Sequence, residues 1–360
     1  MHKKLFIPGP IDCRPEVLEK LSQPMIGHRT KECTEIGQRI MANMQKIWKT
    51  KNVVVISTTS GSGLMESAIK CCTAKRAACF SVGSFGDRWH KMATTNGVEA
   101  DIFRSEEGKC TTPEMVEEAL ATGKYDLITV THNETSSGVM NPVGEIAKVV
   151  AKYPDVVFCV DSVSSAGGAD IPVDEWGIDI FYSGSQKCLS VPPGLAPASF
   201  SDAAMEVIAK RRSRVPNWYL DVSLIRKYWE GSPRVYHHTA PINMYYGLHQ
   251  ALDNLLSEGL EAAFARHEAM HRRLIDGLGK LGFTPFAKEG GAPQINLFLP
   301  PAGVDANTLR ATLRKEHKIE VAGGLGDLAG KVIRVGVMGE GAREEPIDRL
   351  INAISLCMNK

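Results

Sequence analysis

Short apolar runs alternate along the first two thirds of the chain with longer stretches whose apolar residues recur every three or four positions. The runs Val53–Ile56, Ala78–Val82, Asp126–Thr131, Val156–Val160, Ile178–Tyr182 and Leu195–Phe200 have the length of buried strands. Helical spacing between them predicts helices over Leu64–Cys72, Trp89–Asn96, Pro113–Ala121 and Val143–Lys152. Ahead of them, Ile36, Ile40, Met44, Ile47 and Trp48 keep helical spacing. Pro8-Gly9-Pro10 reads as a turn, and Pro15 opens a short helix. Alternation of this kind predicts an α/β fold, with a mostly parallel sheet covered by helices on both faces.

The pattern changes near residue 255. A long helical stretch over Leu260–Leu281 leads to a strand at Gln294–Leu299, a helix, a strand at Val332–Val337 and a terminal helix over Glu345–Cys357. The expected organisation is an N-terminal arm (1–15), a large domain (16–255) and a smaller C-terminal α/β domain (256–360), with a helix joining the two domains.

Chemistry gathers where two of the strands end. Val156–Val160 runs into Asp161, and Ile178–Tyr182 empties into Ser183-Gly184-Ser185-Gln186-Lys187. Ligands in open α/β sheets bind outside the carboxyl ends of the strands, so one pocket can hold both an acid and an amine. That pair suits pyridoxal phosphate: the amine captures the aldehyde, and the acid keeps the pyridine nitrogen protonated. The small-residue loop Ser57 to Gly63 runs into a helix and offers free N–H groups to a phosphate. It lacks the lysine of a P-loop and the third glycine of a dinucleotide fingerprint. Phe85, flanked by Gly83 and Gly86 after a strand, is placed to lie against a planar cofactor. The segment His132 to Gly138 brings hydroxyls to the same sheet edge.

Composition narrows the partners. With 360 residues, 43% hydrophobic, the chain can bury more than one core. Its net charge of +1 provides no field for nucleic acid or an anionic membrane, so small molecules fit better. The nine cysteines, several inside apolar runs, read as reduced core residues. The start of the chain has too few apolar residues for a signal-peptide core, and no apolar stretch is long enough for a bilayer span. A cytoplasmic protein is expected.

Taken in order, Ser60 to Gly63, Gly83 to Arg88, His132 to Gly138, Val160 to Val163, Tyr182 to Lys187, Tyr236 to Thr239 and Ile333 to Gly336 resemble the class V pyridoxal-phosphate aminotransferases, in their alanine–glyoxylate and serine–pyruvate branch. The resemblance covers nearly the whole chain. It implies fold type I, an aspartate-aminotransferase-like architecture with a mostly parallel seven-stranded sheet. It makes Lys187 the Schiff-base lysine and Asp161 the partner of the pyridinium nitrogen. Phe85 takes the stacking position, and Val163 packs on the opposite ring face. Ser136 is matched to the phenolic oxygen, while Ser62, Gly63 and Gln186 are matched to the phosphate. Leu64 stands where an animal relative has His and contributes only its backbone N–H. Tyr236 and Thr239 match a pair that reaches the phosphate from a second subunit, which implies a homodimer. Arg334 matches the arginine that grips the substrate carboxylate, for which a planar fork is the right chemistry. The implied reaction moves an amino group from alanine or serine to glyoxylate or pyruvate.

Other readings stay open at this point. Aspartate or 2-aminoethylphosphonate could be the donor, and the fold also supports pyridoxal lyases and desulfurases, for which Cys188 would be the thiol to consider. His267-Glu268-Ala269-Met270-His271 matches the zinc-hydrolase signature, but Arg266, Arg272 and Arg273 make the segment read as a solvated helix, and no metal is expected.

Overall fold

A computed structural model describes residues 3–211, 213–231 and 235–358. The expected arm therefore begins, and the expected C-terminal domain ends, outside the described residues. Seven strands form the main sheet, in the spatial order Val54–Ser57, Ala196–Phe200, Ile180–Tyr182, Val157–Asp161, Leu127–Thr131, Ala77–Ser81 and Ala100–Arg104. Ala196–Phe200 runs antiparallel to both neighbours, and the other pairings are parallel. All six strands that the sequence predicts between Val53 and Phe200 start and end within two residues of expectation, because each is buried along its whole length. Ala100–Arg104 was not anticipated. It is one of the two edge strands, its side chains are partly exposed, and Asp101 and Arg104 interrupt its short apolar stretch.

A second sheet has the order Lys4–Phe6, Ile319–Gly323, Ile333–Gly336, Ile295–Leu299 and Thr284–Pro285. The N-terminal strand pairs parallel with Ile319–Gly323, and Phe6 is fully buried among Leu274, Phe298, Ile333 and Ile347. The start of the chain thus helps build the C-terminal core. The main core spans residues from Val17 to Ala263, with Trp48 packed edge-on to Phe181 at 4.9 Å. Helices Ile242–Glu258 and Leu260–Gly279 connect the two regions. Gly259, at φ +89°, breaks the helix between them in a conformation that side chains disfavour. No helix among the described residues is long and apolar enough to cross a membrane.

Two helices begin earlier than apolar spacing suggests, for reasons that matter to the site. Gly61–Cys72 takes the small-residue loop into its first turn, with Ser60 in an extended conformation just before it. Ser84–Thr95 starts at Gly83, and its first N–H groups are satisfied by a buried carboxylate from another segment.

Candidate active site

Val157–Asp161 and Ile180–Tyr182 are parallel neighbours, with Asp161 opposite Tyr182, so their carboxyl ends open on one side of the sheet. A cavity of about 750 Å³, counting its part open to solvent, lies there. Ser62, Phe85, Asp161, Val163, Gln186 and Lys187 all line it. Gly63 and Leu64 belong to the first turn of the adjoining helix. The Leu64 side chain is buried in the core, which leaves only its backbone for a ligand.

Asp161 is buried and accepts a 2.9 Å hydrogen bond from the Val163 N–H. Burial pushes its carboxyl up to about 6, against the opposing pull of that N–H and of Tyr182. Lys187 is also buried, and desolvation lowers its amine to about 8. Near that pH a substantial fraction is neutral and nucleophilic. Nζ donates to the Pro8 carbonyl, and Gly9, at φ +100°, lies against the lysine stem; a Cβ there would sit 2.8 Å from Lys187 Cε. The N-terminal turn is therefore one wall of the cavity, and glycine is required where the backbone passes the amine.

Glu134 fixes the opposite side. Its buried carboxylate accepts from the N–H groups of Phe85 (2.9 Å), Gly86 (3.0 Å) and Ser136 (3.0 Å) and from Ser136 Oγ (2.7 Å). Burial raises its pKa, and those hydrogen bonds hold it down. Glu134 thereby ties the start of the Ser84–Thr95 helix, and with it Phe85, to the end of strand Leu127–Thr131.

This clamp changes the place of one expected residue. Ser136 Oγ donates to Glu134 and accepts from the Ser84 N–H at 2.7 Å, so it is turned away from the cavity, and Thr135 lines it instead. Arg334 reaches the same loop from the second sheet. Its Nη1 donates to the Thr135 carbonyl (2.9 Å) and its Nε to the Gly323 carbonyl (2.6 Å), leaving Nη2 and the second Nη1 hydrogen for a ligand. Tyr236 and Thr239 do not line the cavity of their own chain. Tyr236 is 50% exposed, with its hydroxyl 3.3 Å from Thr239 Oγ1 and the Arg29 guanidinium 4.6 Å over its ring. His238 joins that segment to the loop before the Gly61 helix, 2.9 Å from Thr58 Oγ1, and also faces His237.

Among the lining residues to which the sequence assigns no role are the polar Arg88, Thr131, Asn133 and Thr135. Thr131 Oγ1 and Asn133 Oδ1 are buried without a hydrogen-bond partner. The orientation of Asn133 follows from a chain of amides. Gln294 Nε2 must donate to the Gly168 carbonyl (2.7 Å), so Gln294 Oε1 faces Asn133 Nδ2 (2.9 Å), and Oδ1 is left over. Orphan polar atoms at the floor, an aromatic wall at Phe85 and an aliphatic one at Val163 fit a flat, polar-edged ring, and the acid and amine fit its ends. Gly61 keeps that space open, since a Cβ there would lie 2.6 Å from Val163 Cγ2.

The metal signature has a different fate. His267 is buried, contrary to a solvated helix: Nδ1 lies 2.7 Å from the Ala263 carbonyl, and Nε2 accepts the Gly339 N–H at 3.2 Å. His271 is engaged by Asn296, and Glu268 by Arg272. Among the described residues no group of three or more His, Cys, Asp and Glu could hold a metal ion. Cys188 is equally committed. It is buried, its Sγ lies 3.3 Å from the Ser164 carbonyl, and burial raises its thiol to about 12, a poor setting for a transferable sulfur.

Comparison with known proteins gives the family and the fold. The sequence profile of the family Aminotransferase class-V matches residues 23–328. An uncharacterized aminotransferase of Methanocaldococcus jannaschii is 38% identical, with 94% of this chain and 88% of that protein covered. The solved alanine–glyoxylate aminotransferase of Nostoc sp. superposes with a TM-score of 0.96 at 35% identity, covering 99% of this chain and 96% of the other. The ureidoglycine–glyoxylate aminotransferase of Bacillus subtilis does so with a TM-score of 0.96 at 29% identity, covering 100% and 93%.

Proposed function

We propose, from the premise that this chain belongs to the class V aminotransferases, that it moves the amino group of a small L-amino acid, alanine or serine, to glyoxylate or pyruvate. The chain is a pyridoxal-phosphate-dependent transaminase of fold type I. The choice of substrates is supported by the Nostoc and Bacillus relatives, both named for glyoxylate. The observation that carries it is the place of Arg334: Nη1 donates to the carbonyl of Thr135, a residue that lines the cavity, so the guanidinium lies next to that wall and would take up an α-carboxylate there.

Pyridoxal phosphate, when bound, supplies an aldehyde that takes up the amino group and a ring that accepts electrons from the α-carbon. In the proposed assignment Lys187 Nζ holds the cofactor between turnovers and, once freed by the incoming amine, carries the α-proton. Asp161, pinned by the Val163 N–H, keeps a proton on the pyridine nitrogen. Phe85 and Val163 would hold the ring plane, and Thr135, which lines the cavity where Ser136 does not, would be the hydroxyl available to the phenolic oxygen. Ser62, Gly63 and Gln186 bind the phosphate. Tyr236 and Thr239 serve the site of a second copy in a homodimer. This is supported by their position off their own cavity and by the exposed apolar side chains beside them, Val235 next in sequence and Trp218 stacked on His237 at 4.6 Å, which suit an interface.

Replacing Arg334 by Gln is expected to lower kcat/KM for the amino donor by about 10²-fold, chiefly through KM, because a charge-assisted fork to the carboxylate is lost. The assay compares L-alanine, L-serine, L-aspartate and 2-aminoethylphosphonate with glyoxylate as acceptor. An unchanged KM in the variant, or a wild type that uses only the phosphonate, contradicts the assignment.

A further inference from the structure

We propose that Arg88 is the counter-cation for the phosphate of the bound cofactor. The residues matched to that phosphate, Ser62, Gly63 and Gln186, are all neutral donors, as are Tyr236 and Thr239. A phosphate monoester carries between about 1.5 and 2 negative charges near pH 7, and neutral donors in a partly enclosed cavity leave that charge unbalanced. Two described side chains lining the cavity are cationic, Lys187 and Arg88. Lys187 is taken up in holding the aldehyde end. Arg88 remains.

Its placement fits the phosphate end. Nη1 donates to Ser62 Oγ at 3.1 Å, in the first turn of the Gly61–Cys72 helix, where the Gly63 N–H closes back on the Ser60 carbonyl at 2.9 Å and the helix dipole favours an anion. By occupying an acceptor lone pair of Ser62, this bond leaves the serine's own O–H available to a phosphate oxygen. The guanidinium also lies 4.4 Å from the centroid of the Phe85 ring, which limits its rotation without consuming its other N–H groups. No carboxylate among the described residues is within ion-pair distance of it. The backbone beneath is held as well: Glu134 binds the N–H groups of Phe85 and Gly86, at the start of the helix that carries Arg88. Leu64, apolar and buried, adds no charge at the facing turn, so the phosphate charge falls to Arg88.

The inference rests on the cavity holding pyridoxal phosphate, and its test separates the phosphate from the rest of that molecule. Cofactor-free wild type, Arg88→Gln and Arg88→Lys are titrated with pyridoxal 5′-phosphate and, separately, with pyridoxal, following the visible absorbance. Arg88→Gln is expected to weaken binding of the phosphorylated compound by about 10- to 100-fold and to change binding of pyridoxal less than about twofold, with partial recovery in Arg88→Lys. Equal losses for both compounds would mean that Arg88 acts through Phe85 and would overturn the proposal, as would no loss for either. If Arg88→Gln does not fold, Arg88→Lys decides: a loss confined to the phosphorylated compound supports the proposal, and a loss shared by both overturns it. A wild type that binds neither compound refutes the cofactor reading itself.

Discussion

Lys187→Ala is expected to lower turnover by about 10⁴-fold, the upper range for loss of a positioned acid–base group, because in the proposed assignment the same nitrogen also captures the cofactor. The cavity offers no substitute. Arg88 does not give up a proton, Asp161 is assigned to the far end of the ring, and the Cys188 thiol is buried against Ser164. The variant should also lose the visible absorbance of the lysine-bound cofactor while the protein stays folded, since removing a buried amine with a lowered pKa relieves a desolvation cost. Mixing it with a Tyr236→Ala, Thr239→Ala chain tests the dimer as well. If those two residues serve the neighbouring site, a mixed dimer contains one intact site, and activity returns above that of either variant alone. Near-normal turnover in Lys187→Ala would contradict its assigned role.

Asp161→Asn is expected to move activity and stability in opposite directions. If Asp161 faces the pyridine nitrogen as proposed, loss of its charge should lower kcat by about 10² to 10³-fold, comparable to removing one preorganised electrostatic contact. In the cofactor-free protein, however, burial raises the Asp161 pKa from 3.8 to about 6. A carboxyl with a raised native pKa keeps its proton in the folded chain where the unfolded chain has lost it. Its contribution to stability therefore falls as pH rises from about 4 to about 6, and above that window the ionised group costs about 3 kcal/mol. Asparagine keeps the shape and can keep the bond from the Val163 N–H. Cofactor-free Asp161→Asn should thus unfold later than wild type at pH 7.5 and at a similar point at pH 4. Urea unfolding at the two pH values checks this. A variant less stable than wild type at pH 7.5 would show that the buried charge is compensated within the protein.

Both expectations start from residues legible in the sequence. Asp161 ends one mostly apolar run and Lys187 follows another across a short polar loop, and such runs read as buried strands of a parallel sheet, whose carboxyl ends share one side. What stayed hidden depends on which atoms meet across the fold. Ile319–Gly323 finds its parallel partner at Lys4–Phe6, at the other end of the chain, and neither segment is apolar enough to announce itself. Arg88 sits in a polar helical turn, and its orientation toward Ser62 depends on Glu134 holding the helix start. Thr135 and Ser136 are adjacent hydroxyls. Their roles separate only once the Glu134 carboxylate is seen to take Ser136 for itself, which leaves Thr135 facing the cavity. His267 looks like a ligand in its motif, yet both ring nitrogens are satisfied by backbone groups, one of them on the distant Gly339 turn.

The most direct test follows the visible absorbance of the purified, cofactor-loaded protein through one half-reaction and back. Addition of L-alanine or L-serine should bleach the band near the lysine-bound cofactor's maximum, release the matching keto acid in equal amount, and allow glyoxylate to restore the band. A band that no amino acid bleaches, or one that bleaches and is not restored by glyoxylate or pyruvate, would contradict transamination by this site.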